Sequence, residues 1–171
     1  MSMLYGLSNR VLNAAGTALL QDPRILNYLH YTSIEDSDVD LFAKEPPSAS
    51  EIINKRFFIG RRIPINIIES GAYMDIRVAT SRPEYNNTGR WLKVVQLHVD
   101  VICHQDCQVT LRGTRDITIM ELVQDVLRNA DLTGIGDYRV ISLSDILGLK
   151  PEYSGYALKI EVAGFSKDLY D

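Results

Sequence analysis

WLKVVQLHVDVICH, residues 91–104, puts Leu97, Val99, Val101 and Cys103 on one face of an extended chain and Gln96, His98, Asp100 and His104 on the other. A period of two held over this length predicts one long strand, with one face in a core and one toward water or a partner. Upstream, Met74, Ile76 and Val78 alternate with Asp75, Arg77 and Ala79, and a polar run from Ser81 to Arg90 separates the two segments. Together they predict an antiparallel hairpin with a long tip.

Downstream of this hairpin the period changes. Ile119, Leu122, Val123, Val126, Leu127 and Ala130 form a helical stripe, and Thr118 with Glu121 has the spacing of a capping box at its start. Gly134 and Gly136 then stop the helix. Tyr138, Val140 and Ile141 predict a strand, Asp145 to Gly148 a turn, and Tyr156, Leu158, Ile160 and Val162 a final alternating strand. Strands joined by hairpins with a helix on one side predict an α+β fold: an antiparallel β-sheet with long hairpins packed against helices.

At the other end, Leu4, Leu7, Val11, Leu12, Ala15, Ala18 and Leu19 recur at helical steps, with Ser8, Asn13 and Thr17 facing outward. Asp22 and Pro23 supply a cap and a first helical position for a second helix carrying Ile25, Leu26 and Leu29. From Thr32 to Ser50, Glu35, Asp36, Asp38, Asp40, Pro46 and Pro47 read as an exposed, mobile connection. Ser50 to Phe58 is expected to form a short helix, and Ile63, Ile65 and Ile67 an edge strand, since Pro64 suits an edge. The expected organisation is a helical segment with an acidic, proline-containing linker over residues 1–62 and an α+β domain over 63–171, forming one compact unit.

With 171 residues, 46% apolar and 23% charged, the chain can bury one sizeable core and is not of disordered composition. A net charge of -4 argues against a protein that grips nucleic acid or lies on an anionic membrane. Asn9, Arg10 and Asn13 interrupt the apolar positions of the first twenty residues, so neither a secretion signal nor a span is read there, and a soluble intracellular protein is expected. Asn86, Asn87 and Thr88 then mark only a polar turn.

Several clusters invite a chemical reading. Cys103, His104 and Cys107, with His98 nearby, have the residue types that zinc selects, yet no second ligand pair accompanies them, and adjacent strand residues point to opposite faces. Free thiols beside a solvated histidine are favoured, and a Cys107–His104 nucleophile pair would require an intervening turn. Thr133 to Asp137 contains two glycines but follows a helix, whereas a phosphate cradle opens one. Lys55, Arg56, Arg61 and Arg62 surround Phe57 and Phe58, a composition that suits either a nucleic-acid backbone or an acidic neighbour such as the Glu35–Asp40 run of another copy. Arg82, Tyr85, Arg90 and Trp91 gather anchor-type residues at the hairpin tip. No catalytic, cofactor or metal set is assigned, and the chain is not expected to be an enzyme.

The order of an N-terminal helix, IPINII (63–68), WLKVVQLHVDVICH, the helix ITIMELVQDVLRNA (117–130) and the closing YSGYALKIEVAGF (153–165) resembles the tail terminator or tail completion proteins of tailed bacteriophages, over roughly Ile63 to Phe165. The resemblance implies a structural virion protein, assembled in the host cytoplasm. Its copies would form a ring, usually a hexamer, on the last tail-tube ring, stop tube growth and dock the head connector. DNA would pass through the lumen without specific binding. Arg82, Tyr85, Arg90 and Trp91, with Lys55, Arg56, Arg61 and Arg62, are then the expected contacts to neighbouring subunits or the tube. The first sixty residues exceed a minimal terminator, which keeps a neck or head-closure role as the alternative, with a small metal- or nucleic-acid-binding module behind it.

Overall fold

The computed structural model describes residues 4–64, 66, 69–85, 91–132 and 137–165. In chain order these form α1 (Leu4–Gln21), α2 (Pro23–His30), α3 (Ala49–Ile52), β1 (Phe57–Ile59), β2 (Ala72–Tyr85), β3 (Trp91–His104), β4 (Val109–Thr110), β5 (Gly113–Thr114), α4 (Arg115–Asn129), β6 (Asp137–Asp145) and β7 (Tyr153–Phe165). Five strands make one sheet in the order β1-β2-β3-β7-β6, antiparallel throughout except for the parallel pair β1–β2. The class is α+β, as the alternation of periods predicts.

The helices cover one face of that sheet. Val11, Ala15 and Leu19 of α1 are fully buried and pack in one core with Leu97, Val99 and Ile160 of the central strands. Residues before and after position 62 therefore share a single core. Gly16 permits the contact with β1, because a Cβ there would stand 2.9 Å from Ile59 Cδ1. Gly155 does the same within the sheet, where a Cβ would come 2.4 Å from the Val101 carbonyl oxygen.

Local chemistry explains the first helices. Asp22 caps α2, its Oδ1 accepting from the N–H of Arg24 at 2.8 Å and of Ile25 at 3.3 Å, while Pro23 begins the first turn. The stretch expected as an exposed connection is instead laid against α2. Asn27, itself buried, donates through Nδ2 to the carbonyls of Leu41 at 2.8 Å and Lys44 at 2.9 Å, and Leu41 enters the core. Asp36 is paired to Lys44 and Asp40 to Arg112 within the chain, so two of the four carboxylates of this acidic run are neutralised by its own neighbours.

Four further local expectations change. The helix expected over Ser50 to Phe58 stops at Ile52: Asn54 takes a left-handed φ of 62°, and Phe57 and Phe58 then serve opposite sheet faces from β1. No strand begins at Ile63. Ile63 and Pro64 are irregular, Ile63 packing beside Phe58 and Tyr73, while Ile65 and Ile67 lie outside the described residues. The polar stretch Ser81–Tyr85 is strand, paired with Trp91–Val95 beyond a bulge at Ala79, so the tip shortens to residues 86–90, which are outside the described residues. Finally, α4 starts a turn earlier than the Thr118–Glu121 spacing predicts. Thr114 is its N-cap, and the Thr118 hydroxyl donates back to the Thr114 carbonyl at 2.9 Å.

Candidate interaction surface

Strand register decides what the second sheet face presents. β2 and β3 set Asp75 opposite Asp100 and Arg77 opposite His98, and β7 adds Lys159 beside His98 and Glu161 beside Gln96. These residues alternate with the core-facing ones, so they share the face that the helices leave open. Arg77 bridges Asp75 and Asp100, reaching Asp100 Oδ2 at 2.8 Å. Glu161 likewise receives Arg82 at 3.0 Å and Arg139 at 3.1 Å. The bridges from Arg77 to Asp100 and from Arg82 and Arg139 to Glu161 cross strands, so these charges lock the register as well as line the face.

Burial gives this ladder its electrostatics. Asp75 is 1% exposed, and loss of water pushes its carboxyl up to about 6, with Asp100 adding to the rise against the Ile63 N–H donor at 3.0 Å and Arg77. His98 is held below the ordinary imidazole range by burial, then by Arg77 and Lys159. Between an unfolded value of 3.8 and a folded value of about 6, the folded state binds more protons than the unfolded one. The Asp75 contribution to stability is therefore complete below about pH 3.8 and disappears as pH rises through about 6. Asp75→Asn is expected to remove this slope, so that urea-unfolding free energies of wild type and variant diverge across that window. Parallel profiles would rule it out.

At one end of the open face a cavity of about 480 Å³ lies between the Arg62–Pro64 segment and the Leu147–Lys150 turn, floored by Ile102 and Tyr153. Along the neighbouring edge, β6 has no outer strand partner among the described residues, and Val140, Ile141 and Leu143 are exposed on it. Leu147 follows them, 90% exposed. A helix-free face of paired charges thus lies beside an edge that exposes aliphatic side chains and has no outer strand among the described residues.

The residues expected at interfaces fall unevenly on this surface. Arg82 is on it, paired to Glu161 and, at 3.6 Å, to Glu84. Tyr85 and Trp91 are backbone register partners at the hairpin end, and Arg90 lies outside the described residues. Lys55 is exposed. Arg56 stacks 4.7 Å over Tyr73 and reaches Glu69 at 3.7 Å, and Arg61 donates to Asn54 at 2.7 Å above the Phe58 ring. Arg62 stands at the cavity. Phe57 and Phe58 are both buried, which removes the aromatic half of the nucleic-acid reading. Sequence reading missed Arg77, Asp75 and Glu161 as a unit, although the alternation had already placed Asp100 and His98 on the second face.

Two thiols lie on the core side of the sheet, away from this surface. Cys103 and Cys107 are buried with Sγ atoms 3.5 Å apart, and the turn Gln105–Cys107 intervenes. The His104 ring accepts from the Asp106 N–H at 3.2 Å and meets Tyr153 edge-on at 4.9 Å, while Cys107 Sγ lies 3.3 Å from the His104 carbonyl oxygen rather than the ring. A Cys107–His104 nucleophile pair is therefore not assembled. Among the described residues no group of three His, Cys, Asp or Glu side chains is placed to hold a metal. The glycines of the Thr133–Gly136 stretch are outside the described residues. No described helix is long and apolar enough to cross a membrane.

Residues 22–162 match the YomW family model. The chain belongs to the YomW family. That family is phage-associated, and the match runs from the cap of α2 into β7, so it takes in the other four strands of the sheet, most of β7, the charge ladder and the β6 edge and leaves out α1. A search of curated proteins finds no match.

Proposed function

We propose that this YomW-family chain is a structural protein of a tailed-phage virion, whose copies form a ring, a hexamer, that terminates the tail tube and joins it to the head connector. One observation supports this beyond the phage-associated family: the sheet keeps one face free of helices and, among the described residues, one edge without a strand partner, with the charges on that face already fixed by ion pairs. A cyclic ring requires two different surfaces on each copy, meeting head to tail. The apolar β6 edge at one side of the sheet and the long β2–β3 hairpin toward the other are two such surfaces. Termination is then geometric: one face of the ring matches the tube end, and the opposite face offers the connector a surface to which tube subunits do not add. DNA passes through the lumen, where scattered, paired basic residues hold it weakly.

Light scattering across a concentration series is expected to give a discrete hexamer mass, or a monomer that closes into rings at tube ends seen by electron microscopy. Tubes capped in this way are expected to stop lengthening when tube subunits are added, and continued growth overturns the reading. Two variants place the contact. Ile141→Lys with Leu143→Lys is expected to abolish association while moving monomer stability by no more than about 0.5 kcal/mol, as for exposed positions generally. Alanine at Arg82, Tyr85, Arg90 and Trp91 together is expected to abolish ring formation and tail completion. Retention of both removes the hairpin end from the contact.

A further inference from the structure

The strongest unused chemistry in the molecule is the Cys103–Cys107 pair. Cys103 is the last residue but one of β3 and Cys107 ends the turn that follows, which folds the two sulfurs to 3.5 Å inside the core. Arg115, fully buried, donates through Nε to the Cys107 carbonyl at 2.6 Å, so its positive charge sits beside the pair. Its Nη2 has no acceptor among the described residues. A buried guanidinium with a spare donor favours negative charge on neighbouring sulfur.

We propose that Cys103 and Cys107 are a two-electron redox pair that closes to an internal disulfide when the protein meets a peroxide. Cys107 is the attacking sulfur. The contact with Cys103 holds its thiol below the ordinary range against the effect of burial, with Arg115 acting in the same sense, while Cys103 is pushed up and keeps its proton. Gln105 and Asp106, in the same turn, are exposed, so a local opening of three residues brings Cys107 to solvent before β3 is disturbed.

In the first step the Cys107 thiolate attacks one oxygen of hydrogen peroxide and the O–O bond breaks. The departing hydroxide takes the proton the thiol had released and leaves as water, and Cys107 becomes a sulfenic acid. In the second, Cys103 sulfur attacks Cys107 sulfur and the S–O bond breaks. Hydroxide leaves with the Cys103 proton as a second water. Two thiols lose two electrons and one peroxide gains them. The occasion for this chemistry rests on the virion reading, because a particle passes from a reducing cell interior to an oxidising exterior. The bond would tie the end of β3 to the turn that leads into α4.

The test treats the full chain with hydrogen peroxide, blocks free thiols with N-ethylmaleimide in denaturant, and weighs the intact protein. A loss of two hydrogens with neither cysteine blocked, reversed by dithiothreitol, is the expected result. Cys103→Ser is expected to leave a sulfenic acid at Cys107 that dimedone traps, and Cys107→Ser to leave Cys103 a blockable thiol. Wild-type protein in which both cysteines remain blockable, or are joined only between chains, overturns the proposal. A protein that forms no ring yet loses the two hydrogens fails the earlier reading and keeps this one.

Discussion

Arg115→Ala is expected to cost about 4 kcal/mol of folding free energy, the sum of two orphaned carbonyls and a large-to-small change in the core. Arg115 is the first residue of α4 and is fully buried. Its Nε donates to the Cys107 carbonyl and its Nη1 to the Tyr28 carbonyl, each at 2.6 Å, and the guanidinium lies 5.5 Å over the Tyr28 ring. One side chain thus joins α2, the turn after β3 and the start of α4. Truncation leaves both carbonyls buried without donors and empties the space between them. The guanidinium also carries a cost of its own, since its charge is out of water and Nη2 has no acceptor among the described residues. Arg115→Met removes that cost and fills most of the volume, so its loss is expected to be smaller than that of alanine. Urea unfolding with an unchanged slope measures both. An alanine loss under about 1 kcal/mol would mean that the three elements are held by apolar packing alone.

Leu97→Ala is expected to cost about 3 kcal/mol, within the range for a buried leucine cut to alanine. Leu97 is fully buried at the middle of β3, with Val78 beside it on β2 and Ile160 on β7. Strands on both sides prevent the backbone from closing the cavity, which places the cost well above the bare transfer of three carbons. Leu147→Ala, at a position 90% exposed, is expected to change stability by no more than about 0.5 kcal/mol. Equal effects at the two positions would contradict the burial pattern.

The long β3, the stripes of α1 and α4 and the Asp22–Pro23 start of α2 were legible in the sequence because each is a repeat along a single segment. β1 was not, since three residues are too few to show a period and its two phenylalanines serve opposite faces. Nor was the strand character of Ser81–Tyr85, whose polar residues gain their extended form from pairing with β3. Thr118 and Glu121 have capping-box spacing, yet Thr114 caps α4 and the helix has already begun at the buried Arg115.

The surface divides in the same way. Alternation along the chain was enough to take Asp100 and His98 off the core face, to set Asp75 and Arg77 between apolar neighbours, and to give an α+β chain with phage-like ordering. Long-range packing was needed for Arg77 to bridge Asp75 and Asp100, for Arg82 and Arg139 to meet at Glu161, for β6 to lie at an edge with no outer strand among the described residues, and for Cys103 and Cys107 to touch. Side-chain alternation and helical stripes are local consequences of backbone geometry, while register, strand order and helix placement are set by which distant apolar faces bury one another.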